Sequence, residues 1–203
     1  MIWIEQFIKG LPFWGNPFLH AALLTILLFF FLLLLGIAIN IVNYILRSIF
    51  ATFLGGDITF IFANYLTWPG TVHHELSHAL FAFLTGAKVH HISVLPHGLS
   101  LGHVNFSVRG GPFLQAVQRT LTSIAPILCG VTTEILLWYY VFPHCSVWWH
   151  FALLGYLMIS IILHMTLSIQ DLLILWQGLF PSLLVSYVLI LILEFLLPRV
   201  IKA

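Results

Sequence analysis

The stretch TVHHELSHALFAFLTG (Thr71–Gly86) places three histidines and a glutamate in a run that is otherwise apolar. Long apolar segments lie on both sides of it along the chain. Ionisable side chains inside a membrane-spanning segment are costly, and they usually mark functional sites. We therefore expect this stretch both to lie in a membrane and to carry the chemistry of the protein.

The composition is that of a membrane protein. Of the 203 residues, 61% are hydrophobic and only 6% are charged, whereas about a quarter of the residues in a soluble domain are charged. The formal net charge of +1 offers no basic surface for nucleic acid. The length suits one domain, so residues 1–203 are predicted to form a single membrane-embedded unit with the lipid bilayer as its surroundings.

Several segments are long enough to cross a bilayer, which takes about 20 mostly apolar residues. The predicted fold class is therefore an all-α polytopic membrane protein with about five transmembrane helices. The second segment contains Pro69-Gly70 near its middle, which predicts a kink or two half-helices. The five segments are Leu19–Ile45, Ile58–Leu84, Ala116–Phe142, Val147–Leu167 and Asp171–Leu197.

A polar insertion separates the second segment from the third. Apolar and polar residues alternate from His103 to Arg109, and a period of two indicates a strand with one face in water. Pro96-His97-Gly98 is a plausible turn after an earlier strand through Val89–Leu95. The pattern predicts a small membrane-associated β-hairpin at about residues 88–109.

The distribution of basic residues bears on orientation. Cytoplasmic loops carry an excess of Lys and Arg. With five spans, the hairpin side holds four of these residues and the opposite side holds three, and the hairpin side is therefore predicted to be cytoplasmic in a multi-pass protein of a cell membrane. The four are Lys9, Lys88, Arg109 and Arg119, and the three are Arg47, Arg199 and Lys202.

The segment His74-Glu75-Leu76-Ser77-His78 has the pattern HExxH. On a helix, residues four apart lie on the same face, one turn above the other, so His74 and His78 can bind one zinc ion. In this motif the glutamate acts as the general base on a water molecule that the metal has made more acidic. His73 lies about 100° away from the ligand pair, which predicts a packing or supporting role.

A catalytic zinc usually has three protein ligands and one open position. Asp171 begins the last predicted span, and Ser168 three residues earlier also fits a capping box at a helix start. A cap and a ligand are compatible roles. The spacing of the residues leaves several candidates open for the third ligand, namely Asp171, Glu134, His164, His103 and His97.

The chain resembles the site-2 protease family of intramembrane zinc metalloproteases. The resemblance covers roughly Pro69–Gly178 and is carried by HExxH, by LGHVNF (Leu101–Phe106) in the β region, and by SIQDLLILWQG (Ser168–Gly178). His103 replaces the usual aromatic residue of that family, and the usual Asn-Pro-Asp-Gly type of sequence is absent. The chain is therefore similar to a divergent, minimal member.

The resemblance implies a function and a ligand set. It implies a zinc metalloendopeptidase that hydrolyses peptide bonds in or near transmembrane segments of membrane proteins, with His74, His78 and Asp171 as zinc ligands and Glu75 as the catalytic residue. The partner would be a transmembrane protein or peptide substrate. The alternative is a catalytically silent membrane subunit or helix-binding scaffold that keeps the fold within a membrane complex. A metal transporter is a third possibility, although transport does not need a glutamate beside the first ligand.

Overall fold

The structure is a computed structural model that describes residues 16–56, 58, 65–95 and 102–196. These residues are largely helical, and a two-stranded antiparallel sheet lies between the second and third helices. The prediction of a helical chain with a small hairpin is confirmed. In chain order the elements are α1 (Pro17–Leu54), α2 (Trp68–Leu84), β1 (Lys88–Ser93), β2 (His103–Ser107), α3 (Pro112–Leu136), α4 (Trp148–His164) and α5 (Ile169–Leu196).

Three helical stretches are long and apolar enough to cross a membrane: Pro17–Leu54, Pro112–His144 and Ile169–Leu196. The second of them is α3 with the irregular helical turns that follow it. Helices α2 and α4 have 17 residues each, so they fall short of a full span. The described residues are consistent with an integral membrane protein, and three of the five predicted spans correspond to these long helices.

Helix α2 begins at Trp68, and Pro69 stands in its first turn. Proline is tolerated there because the first backbone N–H groups of a helix have no partner within the helix. The Pro-Gly pair therefore marks the start of the described helix rather than a kink within it. Most of the predicted span upstream of Tyr65 lies outside the described residues.

Helices α2 and α4 run parallel and lie in close contact. Tyr156 donates to the Leu66 carbonyl at 2.6 Å, and the Gly70 N–H donates to Ser160 Oγ at 2.8 Å. The Ser160 hydroxyl in turn donates to the Thr67 carbonyl at 2.8 Å. A Cβ atom at Gly70 would lie 2.0 Å from the Ser160 carbonyl oxygen, so only glycine permits this approach. The contact fixes the position of α4 along the HExxH helix.

Helix α5 packs against α3 through small residues. A Cβ at Gly178 would come 2.6 Å from the Ala116 carbonyl oxygen, and Ser182 one turn later donates to Thr120 Oγ1 at 2.8 Å. Small residues at such an interface allow two backbones in a membrane to approach closely. The contact joins the first turns of α3 to the middle of α5.

Helix α1 lies antiparallel to α5. Near its start His20 forms a buried hydrogen bond with Glu194, which lies near the end of α5. Farther along, Asn43 donates to the Ile162 carbonyl of α4 at 2.8 Å. These two polar contacts attach α1 to the rest of the bundle near its start and about two-thirds of the way along it.

The hairpin pairs β1 with β2, with Val89 opposite Phe106 and Ile92 opposite Val104. Residues that lie opposite each other share a face of the sheet, so these four apolar side chains form one face. The other face carries polar residues such as His91 opposite Asn105. This confirms the predicted alternation, while the predicted turn at residues 96–98 lies outside the described residues.

The hairpin is attached to the start of the HExxH helix. The indole N–H of Trp68 donates to the Val94 carbonyl at 2.8 Å, just beyond the end of β1.

An irregularity interrupts the ladder in β1 between Val89 and His91. Strand β2 is continuous from His103 to Ser107.

Candidate metal centre

Helix α2 presents His74 and His78 on one face, as the four-residue spacing predicts. Their Nε2 atoms lie 3.0 Å apart, and their ring centroids are separated by 4.7 Å. His78 is buried at 6% exposure. The two rings therefore converge on one point beside the helix.

Backbone carbonyl groups determine which nitrogen of each ring carries the proton. His74 Nδ1 lies 2.6 Å from the His164 carbonyl oxygen of α4, and His78 Nδ1 lies 2.7 Å from the Thr122 carbonyl oxygen of α3. A carbonyl oxygen only accepts, so each Nδ1 must be the N–H donor. In the neutral ring this leaves a lone pair on Nε2, the form in which histidine binds a metal.

Asp171 completes the group from the first turn of α5. Its Oδ1 lies 3.2 Å from His78 Nε2, and its Oδ2 lies 3.9 Å from His74 Nε2. Among the residues that the structure describes, His74, His78 and Asp171 form the group of three potential ligands whose donor atoms lie within 4.8 Å of one another. The group can hold a metal ion.

The carboxylate of Asp171 is oriented by the predicted capping box. Asp171 Oδ2 accepts from the Ser168 N–H at 2.8 Å and from the Ser168 hydroxyl at 2.7 Å. In return, the Asp171 N–H donates to Ser168 Oγ at 3.1 Å. Asp171 therefore takes part in the helix cap and faces the two imidazoles at once, so the cap is compatible with its place in the three-residue group.

When both rings are neutral, the two Nε2 atoms and the Asp171 carboxylate oxygens that face each other are all hydrogen-bond acceptors. Two Nε2 lone pairs and a carboxylate within 3.0–3.9 Å of one another repel unless a cation or a proton lies among them. Asp171 is also buried, at 7% exposure, and a buried carboxylate needs a compensating charge. A metal ion satisfies all three donors together.

Glu75 lies beside this group and is buried, at 6% exposure. Its side chain packs against the backbone at the start of β2, since a Cβ placed on Gly102 would come 2.8 Å from Glu75 Cγ and 3.0 Å from Glu75 Oε1. The hairpin therefore covers the glutamate of the HExxH segment. This close contact joins the β insertion to the site.

The other histidines and the second glutamate that the sequence singled out lie elsewhere. His73 contacts α3, with its Nε2 at 2.9 Å from Thr133 Oγ1, which agrees with the predicted packing role. Glu134 and the side chain of His164 are outside the three-residue group. His103 is exposed on β2, and His97 lies outside the described residues.

Sequence reasoning missed two features of the site, and the first of them has no signature in the residue pattern. The acceptors for the two imidazoles are main-chain carbonyls of Thr122 and His164, and any residue type carries such a carbonyl. The role of Gly102 could have been sought in LGHVNF, because a glycine at the start of a strand often marks close approach of another group.

Comparison with known proteins finds no match, whether with family models, curated proteins or solved structures. The likeness to the site-2 protease family therefore stays a prediction from the residues themselves.

Proposed function

We propose that the protein is an intramembrane zinc metalloendopeptidase that hydrolyses peptide bonds in or near transmembrane segments of membrane proteins. The observation that carries the proposal is the convergence of His74, His78 and Asp171 beside the buried Glu75, in a chain that is otherwise largely apolar. The resemblance to the site-2 protease family adds the reaction class.

The donor set and its spacing fit zinc. Tetrahedral zinc with bonds of about 2.0–2.1 Å places neighbouring donor atoms about 3.3–3.4 Å apart. The three distances of 3.0, 3.2 and 3.9 Å scatter around that value. Two imidazoles and one carboxylate leave a fourth position open, as in catalytic zinc sites. Zinc held there would polarise a carbonyl oxygen and make water more acidic.

Residues of the chain would transfer the protons and keep the metal ligands oriented. Glu75 takes a proton from the attacking water as the new C–O bond forms at the scissile carbonyl carbon. It then delivers that proton to the amine nitrogen as the C–N bond breaks, so that its own protonation state is restored. The carbonyls of Thr122 and His164 keep both imidazoles in the ligating tautomer throughout.

The hairpin offers a way to present the substrate. A transmembrane helix satisfies its own backbone hydrogen bonds, and its peptide bonds must be exposed before water can attack. An extended peptide can add to the edge of a sheet by β-augmentation. Strand β2 is the continuous strand of the hairpin, and Gly102 at its start touches Glu75. A peptide paired along β2 would therefore run toward the site.

The test measures zinc content and peptide cleavage with the full chain in proteoliposomes. The probe is a set of synthetic transmembrane peptides with helix-weakening centres, and products are read by mass spectrometry. We expect about one zinc per chain, cleavage that a zinc chelator abolishes, and loss of cleavage with zinc retained in Glu75→Gln.

The matched control is Glu134→Gln, a second membrane glutamate that lies outside the three-residue group. It should keep both zinc and cleavage. Cleavage that survives Glu75→Gln would overturn the role of Glu75. A zinc-loaded wild type that cleaves none of the peptides and copurifies with fixed amounts of another membrane protein would favour the silent subunit.

A further inference from the structure

The backbone at Gly102 approaches closer to its surroundings than any side chain would allow. A Cβ there would come 2.8 Å from Glu75 Cγ, 2.8 Å from the Ser93 carbonyl oxygen and 3.0 Å from Glu75 Oε1. Contacts between carbon atoms are most favourable at about 3.5–4.0 Å. The space that a methyl group would occupy at residue 102 is therefore filled by the catalytic glutamate and by the facing strand.

The backbone conformation at position 102 does not require glycine. The described glycines with positive φ are Gly55, Gly86 and Gly110, and Gly102 is not among them. A different residue could adopt its backbone angles without strain. Position 102 therefore requires glycine only because Glu75 and Ser93 lie too close to its backbone for a side chain.

Two of the three atoms that a Cβ at Gly102 would meet belong to the Glu75 side chain, and the third is a backbone atom of β1. Ser93 lies opposite His103 in the strand register, and the next residue, Val94, accepts a hydrogen bond from Trp68 at 2.8 Å. Trp68 belongs to the first turn of α2, the helix that carries Glu75. A methyl group at position 102 would therefore have to displace the Glu75 carboxylate and also to shift β1 at Ser93.

We propose that Gly102 is a positioning residue: its missing side chain lets β2 lie on Glu75 and hold the carboxylate in its place beside the metal ligands. This inference rests on the proposed function for its catalytic consequence. The contact itself is a property of the fold. The hairpin then has two roles, because the strand that is offered to a substrate peptide also sets the position of the catalytic base.

The catalytic test compares Gly102→Ala with Gly155→Ala, a position in α4 where a Cβ meets nothing within 4 Å. A displacement of about 1 Å in a catalytic group can cost about 100-fold in rate. We expect Gly102→Ala to lower kcat by about that factor, with KM nearly unchanged and zinc per chain unchanged, and Gly155→Ala to leave all three as in the wild type. An unchanged kcat, or a loss of zinc that parallels the loss of kcat, would overturn the proposal.

A second measurement is independent of cleavage. In a Glu75→Ala background the Cγ and Oε1 atoms are gone, so Gly102→Ala should lower the unfolding temperature clearly less than it does in the wild type. The clash with the Ser93 carbonyl remains in both backgrounds, so only the part of the loss that Glu75 causes should disappear. Equal effects in both backgrounds would contradict the contact. If the effect of Gly102→Ala on the unfolding temperature depends clearly on Glu75 but the protein cleaves no peptide, the contact is supported and the protease function is rejected.

Discussion

Nε2 of His74 and Nε2 of His78 face each other at 3.0 Å while Nδ1 of each ring is committed to a backbone carbonyl. With both outer nitrogens donating, the inner nitrogens of the neutral rings have only lone pairs to offer. Such a pair is stable when a cation lies between the rings and Asp171. The surrounding helices thus orient all three potential ligands so that they can hold a metal ion.

Asp171 is the proposed ligand that comes from a distant part of the chain. Replacing it by alanine removes the carboxylate that lies 3.2 Å from His78 Nε2. We expect the zinc affinity of Asp171→Ala to fall by more than about 100-fold, beyond the 10–100-fold loss typical of supporting residues. Competition with a chromophoric chelator measures this. Glu134→Gln serves as the control, and a fall in its affinity instead would make Glu134 the third ligand.

Ser168 orients Asp171 without joining the ligand group. Its N–H and hydroxyl both donate to Asp171 Oδ2, so Ser168→Ala removes the hydroxyl donor and the helix cap. We expect a 10–100-fold loss of zinc affinity and a loss of about 1 kcal/mol in the free energy of unfolding. Thr132→Ala is the control, because its hydroxyl bonds only within α3, to the Leu128 carbonyl. Equal zinc affinities in the two variants would contradict the orienting role.

Gly70 allows α4 to approach the site helix. A methyl group there would come 2.0 Å from the Ser160 carbonyl oxygen and 2.5 Å from His164 Nδ1, and the same turn of α4 supplies the carbonyl that orients His74. Gly70→Ala should therefore destabilise the fold by at least about 1–3 kcal/mol and weaken zinc binding. Unfolding in mixed micelles, with zinc content in parallel, measures both.

The control for Gly70 is Gly36→Ala in α1, where the nearest atom to an added Cβ is Ile127 Cδ1 at 3.8 Å. That substitution should be neutral or slightly stabilising, because alanine is the better helix former by about 0.5–1 kcal/mol. A Gly70→Ala variant as stable as Gly36→Ala would show that α2 and α4 pack less closely than described.

His20 and Glu194 join α1 to α5 far from the site along the chain. Removing one partner leaves the other buried, and such losses cost about 3–5 kcal/mol. We expect Glu194→Ala to lower the free energy of unfolding by that amount, with zinc affinity unchanged in the folded protein. In a double-mutant cycle His20→Ala should add little to Glu194→Ala. Additive effects would show that the two side chains act separately.

The local part of the site could be predicted from the residues. The spacing of His74 and His78 follows from 3.6 residues per helical turn, and the alternation after Gly102 follows from the two-residue period of a strand. Ser168 and Asp171 are close enough in the chain for their capping box to be local as well. Such features depend on neighbours within a few residues.

Tertiary structure alone decided how these pieces meet. The approach of Asp171, and not of Glu134, to the two histidines depends on where α5 begins relative to α2. The contact between Gly102 and Glu75 depends on how the hairpin folds back. The carbonyls of Thr122 and His164 carry no signature of residue type. Backbone groups and close approaches are defined by the packing of whole helices, so no periodicity along the chain encodes them, whereas the ligand spacing within one helix is set by covalent geometry and hydrogen bonding alone.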